Sequence, residues 1–317
     1  LIKNEVKMGM TDLRKQIGRL KGLRWLALVV SLVAVFTLAG CQATTQPKQS
    51  GKINVVATLG FYGEAAEAIL GDQGNVHTII NSPSIDAESY EPDVKTAKLV
   101  AKANVVVENG LGYDSWMDRV VAANEGSGTQ TLSIGKLMGK TTGDNPHLWS
   151  DPSVMTQVTQ RLVAQFSRIS PKHAAEFKRR GAAYEKQLAV LTKTAKQIKR
   201  HAHGQKVAVS EPVFDLALTA MGYQVSDGHF AQSIEEDSDP TPADITQLQK
   251  QIKHHQIAFF VENTQNSSKN VTAMVQLAHK YHVPVVQVTE TMPTHQTYRT
   301  WMLQQYRQVQ RIQEENR

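Results

Sequence analysis

The chain has 317 residues, a formal net charge of +6, one cysteine and 41% hydrophobic residues, enough for one large or two modest domains with a substantial core. Residues 1–40 carry seven Lys/Arg against two Asp/Glu, so five of the six positive charges lie there and the rest of the chain is nearly neutral. That excludes the nucleic-acid partner that a pI near 9.2 would otherwise suggest, and a single thiol excludes an internal disulfide, leaving the core to hold the fold.

The apolar run over 25–39 follows Arg19, Lys21 and Arg24 and ends in Leu38-Ala39-Gly40-Cys41. It falls short of the ~20 residues needed to cross a bilayer, and small residues precede the cysteine. The pattern is that of a bacterial lipoprotein signal over 1–40, whose removal leaves Cys41 as a lipidated N-terminus outside the cell membrane. Residues 41–52 are polar and read as a tether. From Ile53 onward short apolar runs alternate with amphipathic stretches. Strands are expected over 53–57, 76–80 and 105–107, with helices over 62–70 and 93–103. The same rhythm returns later, with strands over 206–210, 257–261 and 283–288 and helices over 213–221, 242–255, 269–282 and 298–313. Strand, helix, strand at this spacing predicts α/β structure with parallel sheets. Between the halves Pro171 opens a segment in which Phe177, Tyr184, Leu188, Leu191, Ala195 and Ile198 recur at helical spacing until Gly204. About 31 residues there make a rod of roughly 45 Å. The expected architecture is two parallel-sheet lobes, 53–170 and 204–317, joined by one long rigid helix over 171–203, with a ligand cleft between the lobes.

Four segments carry metal-capable side chains and are expected in loops that follow strands, where open parallel sheets place ligands. They are Asp86-Ala87-Glu88-Ser89-Tyr90-Glu91-Pro92, Asp144-Asn145-Pro146-His147-Leu148-Trp149-Ser150-Asp151-Pro152, Ser210-Glu211-Pro212-Val213-Phe214 and Val288-Thr289-Glu290-Thr291-Met292-Pro293. Asp86 and Glu91 compete with Glu88, and Glu211 also suits the positive end of the helix that follows it. Trp116 and Trp301 read as core. His201, His203, His254 and His255 read as helix-end groups that complement the dipole rather than as a second metal site.

With Tyr90-Glu91-Pro92, the run Asn109-Gly110-Leu111-Gly112-Tyr113 leading to Trp116, and Asn145-Pro146-His147-Leu148-Trp149 before Asp151-Pro152, the chain resembles the metal-specific solute-binding lipoproteins of manganese and zinc ABC importers. The resemblance implies a non-catalytic receptor that captures one divalent ion as cargo. It also implies partners, a membrane permease and an ATPase, and a monomer held to the membrane by its lipid. Carried over by position, it implies the ligands Glu88 and His147 from the first lobe and Glu211 and Glu290 from the second. The family usually has histidine where this chain has Glu88, and often aspartate where it has Glu290. One imidazole and three carboxylates make an oxygen-rich set, which favours manganese over zinc, although intrinsic affinities run the other way. A surface-anchored metallohydrolase and a metal-stabilised adhesin are the alternatives from other classes.

Overall fold

The computed structural model describes residues 51–315. The expected signal over 1–40, Cys41 and most of the tether lie outside the described residues.

The first sheet is built from β1 (Ile53–Leu59), β2 (Gly74–Ile80), β3 (Val105–Glu108) and β4 (Gln130–Ser133), in the order β2-β1-β3-β4. All pairs are parallel, with Val55 opposite both Val76 and Val105. β1 and β3 are buried almost throughout, which is why they read as continuous apolar runs: helices cover both faces of a parallel sheet. The intervening helices are α1 (Gly60–Leu70), α2 (Val94–Lys102), α3 (Ser115–Ala122) and α4 (Ile134–Leu137). Asp93 caps α2 by accepting from the Thr96 N–H.

Next come α5 (Val154–Ile169) and the long helix α6 (Ala174–Ala202), entered through a 3-10 turn at Pro171–His173. Its 29 residues span roughly 43 Å. The helix buries the predicted stripe, including Phe177, Tyr184, Leu188, Leu191 and Ile198. It ends where His203 and Gly204 turn left-handed, at φ 48° and 68°.

The second sheet has the order β6-β5-β7-β8, again all parallel. Its strands are β5 (Lys206–Val209), β6 (Gln224–Val225), β7 (Phe260–Asn263) and β8 (Val285–Val288), and its helices are α7 (Asp215–Ala220), α8 (Gly228–Glu235), α9 (Pro242–Lys253) and α10 (Lys269–Lys280). The last helix, α11 (Tyr298–Glu315), leaves the second sheet but packs on α6. There Tyr298 donates to the Trp149 carbonyl at 2.6 Å and Tyr306 to the Ser150 carbonyl at 3.0 Å. Phe61, Trp149, Tyr298 and Trp301 stack in one aromatic seam with centroid separations of 5.2–6.2 Å. Glu64 of α1 knits the same region, accepting from the Tyr184 hydroxyl and the Tyr298 N–H. The α/β fold with two parallel sheets and a long helix agrees with the expectation. Strands β4 and β6 were not anticipated, nor were helices α4, α5 and α8.

Glu108, at the end of β3, is buried. Burial first, then the charges of Asp114 and Asp118, push its carboxyl up to about 7. A raised carboxylate contributes its full share of stability only below its unfolded value near 4.5, and loses it as pH rises through about 7. Glu108→Gln is therefore expected to exceed the parent chain in stability at pH 8 by roughly 1–3 kcal/mol, with a smaller gap at pH 5. Urea unfolding at the two pH values measures this, and an equal gap at both would contradict it.

Candidate metal centre

His147 enters the site from a loop that follows α4 rather than directly from a strand. The loop rests on the turn Asn109-Gly110-Leu111-Gly112, where residues 110–112 all have positive φ. That turn aims two successive N–H groups, of Asn109 and Gly110, at the Asp114 carboxylate. It also lets the Asn109 amide donate to the Pro146 carbonyl at 2.9 Å while accepting from Tyr62. The motif is thus the bed of the histidine loop.

The imidazole is wholly buried, edge-on to Tyr113 and Trp149 at 5.8 and 5.2 Å. Its Nδ1 lies 3.0 Å from Asn145 Oδ1, which also accepts the His147 N–H at 2.9 Å. Asn145 Nδ2 donates to the Pro212 carbonyl of the second half at 2.8 Å, which fixes which end of the amide faces the ring. A carbonyl oxygen can only accept, so the proton sits on Nδ1 and the lone pair of Nε2 points the other way. Nε2 has no hydrogen-bond partner. It faces carboxylates, with Glu235 Oε1 at 3.4 Å and Glu290 Oε1 at 3.8 Å.

Glu290 follows β8. It accepts from the Tyr113 hydroxyl at 2.5 Å, and its N–H donates to Gln265 Oε1. Gln265 also donates across to the Pro83 carbonyl of the first half. Glu211 follows β5, and its two oxygens accept from Asn263 at 2.7 Å and Asn266 at 2.6 Å. Glu88 is exposed at the mouth, in a loop held by Trp116 Nε1 donating to the Ala87 carbonyl at 2.8 Å. A cavity of about 400 Å³ opens here, lined by Pro83, Asp86, Glu211, Asn266 and Glu290. A larger groove of about 700 Å³ beside Phe61, His77 and Met292 gathers none of the candidate ligands.

The charges are strongly coupled. Desolvation first, then the Glu290 charge, pushes Glu88 up to about 6. Glu235 rises to about 7 from burial, with the Glu290, Glu88 and Glu211 charges adding to it and His147 opposing. Burial also raises Glu211. Burial pulls His147 down, but the surrounding carboxylates outweigh it and hold its pKa above the ordinary value. For Glu290 burial acts upward, and the His147 and Tyr113 contacts win, leaving it lowered. This is a pocket of excess acid that a divalent cation would relieve. Among the described residues, no three His, Cys, Asp or Glu side chains are grouped closely enough to enclose an ion as they stand.

The structure thus brings Glu211 and Glu290 to one cavity and sets His147 Nε2 3.8 Å from Glu290, whereas Glu88 is exposed in the adjoining loop and does not line the cavity. Glu235 went unnoticed in the sequence, where it opens the ordinary-looking acidic run Glu235-Glu236-Asp237. The roles of Asn263, Asn266 and Gln265 depend on tertiary contacts that no local pattern announces.

Fold and pocket define a two-sheet binding protein whose cleft is lined with hard donors. Residues 55–312 match the profile of the family described as zinc-uptake complex component A, periplasmic. The chain belongs to this family of non-catalytic metal-binding proteins, which capture a divalent metal ion for ABC import. It is 27% identical over 257 residues to the manganese-binding lipoprotein MntA of Bacillus subtilis, covering 77% of this chain and 82% of MntA. It is 26% identical over 263 residues to the iron ABC transporter substrate-binding lipoprotein MtsA of Streptococcus pyogenes, covering 77% and 83%. The periplasmic zinc-binding protein TroA of Treponema pallidum shares the fold, with a TM-score of 0.69 at 17% identity over 83% of this chain and 99% of TroA.

Removing the group that orients a metal-binding histidine typically lowers affinity 10- to 100-fold. Asn145→Ala is expected to weaken divalent-metal binding by about that factor, read by calorimetric titration; unchanged affinity would mean that the orientation of His147 does not matter to capture.

Proposed function

We propose that Glu88, His147, Glu211 and Glu290 bind the captured ion, and that manganese is preferred over zinc. The observation that carries this reading is the buried, unpartnered Nε2 of His147 facing carboxylates from the other half of the chain. Neutral imidazole suits either metal. A carboxylate-rich remainder suits an ion that accepts six oxygen-weighted donors better than one satisfied by four. The manganese and iron named for MntA and MtsA are consistent with such a set.

In this reading the mature chain is a monomer anchored outside the cell membrane through lipidated Cys41. The tether over 41–52 carries a first lobe over 53–170, the helical segment 171–203 and a second lobe over 204–317. The loaded protein hands its ion to a membrane permease driven by an ATPase. The aromatic seam and α11, which cross between the two halves, favour release by rearrangement of the ligand loops over wide hinge opening.

Capture requires the donors to be deprotonated. With Glu88 near 6 and Glu235 near 7, and Glu211 and His147 also raised, protons compete increasingly as pH falls from 8 to 5. The same raised carboxylates cost the metal-free fold stability once ionised, so added metal should raise the melting temperature more at pH 8 than at pH 5. The expected result for the soluble chain beginning after Cys41 is one equivalent of metal with affinity falling steadily over that range. Glu88→Ala should bind more weakly, and manganese and zinc titrated in competition report the preference. Affinity that does not vary with pH would count against this donor set.

A further inference from the structure

Helix α8 buries Phe230, Ala231 and Ile234, and its last residue, Glu235, is carried to within 3.4 Å of His147 Nε2. Its carboxylate is coupled by charge to His147, Glu290, Glu88 and Glu211, and of these it approaches His147. Glu211 is already held by two amides and Glu290 by a phenol. Glu235 Oε1 approaches the bare Nε2 of His147 to 3.4 Å.

That separation has a meaning. Two donors bound to one ion at about 2.1 Å stand about 3.0 Å apart at a right angle and about 3.4 Å apart at the tetrahedral angle. At 3.4 Å, Glu235 Oε1 and His147 Nε2 stand close enough to reach one cation, a spacing that does not itself fix the coordination number of that cation. The nitrogen is fully buried and has no hydrogen-bond partner of its own, the ring being oriented through Nδ1 and Asn145. A simple histidine–glutamate hydrogen bond would be shorter and aligned.

We propose that Glu235 is a fifth donor to the captured ion and sets its selectivity, favouring an ion of high coordination number such as manganese over zinc. This rests on the proposed site and deepens it. Four protein ligands satisfy tetrahedral zinc, so a further carboxylate adds little to its binding. An ion that takes six oxygen-weighted donors gains from it directly.

The test uses the chain from residue 42, which contains the compact unit beginning at Ser50. Manganese binding is followed by electron paramagnetic resonance and zinc by competition, in the parent chain, Glu235→Gln, Glu235→Ala and His147→Ala, with thermal melting alongside. Glu235→Gln preserves shape, so it reports on the donor even if the alanine variant folds poorly. Loss of manganese affinity by about tenfold or more in the Glu235 variants, with zinc changed less than about threefold, is expected. His147→Ala should lose both metals. If the parent binds metal and His147→Ala does not, while the Glu235 variants hold manganese as the parent does or lose both metals equally, this inference falls and the proposed site stands. If the parent binds neither metal, both fall together.

Discussion

One buried imidazole sets the terms for the rest of the structure. His147 is removed from water, and its Nδ1 is committed to Asn145, so its remaining lone pair must face whatever the pocket presents. Burying a nitrogen acceptor without a partner is costly. Here the facing side consists of carboxylates, of which burial pushes Glu235 towards the neutral form while His147 and Tyr113 hold Glu290 ionised. Each group alone is destabilising in this place, and a divalent cation among them would offset all of these costs at once. The geometry is the signature of a pocket built for a charge that the chain does not itself supply.

Keeping that arrangement requires the two halves to hold register with each other. Asn145 reaches from the histidine loop to the Pro212 carbonyl, Gln265 reaches from the second half to the Pro83 carbonyl, and Tyr113 reaches to Glu290. Behind these contacts the long helix packs on α1, α5 and α11, and the hydroxyls of Tyr298 and Tyr306 clasp the backbone just beyond His147. One apolar cluster runs from β1 to α11, and a second, smaller one around Phe230, Leu248 and Phe260 belongs to the second half alone. Moving one half as a rigid body would break aromatic packing and buried hydrogen bonds together, whereas the loop carrying Glu88 has far less to lose.

Much of this was legible in the chain. Continuous Val-rich runs over 53–57 and 105–107 announced strands buried on both faces, and the spaced apolar residues from Phe177 to Ile198 announced the long helix. Trp116 and Trp301 are core, as their amphipathic settings implied, and His203, His254 and His255 lie at helix ends. Strand β4 escaped because Gln130-Thr131-Leu132-Ser133 is short, mostly polar and at a sheet edge, where packing on β3 decides what local pattern does not. The motif around Asn109 was visible, but its purpose was not, since the Asn109 bond to the Pro146 carbonyl joins residues 37 apart. Glu235 was hidden for the same reason: an acidic residue at a helix end looks solvated until the fold places a buried nitrogen beside it.

The most direct test of the account is to grow crystals of the mature chain with manganese and locate the ion by anomalous scattering. The account predicts a single strong peak within bonding distance of His147 Nε2 and of carboxylate oxygens from the second half of the chain, in the pocket between the sheets. A peak bound away from His147, or one held by surface carboxylates with the imidazole still bare, would contradict it.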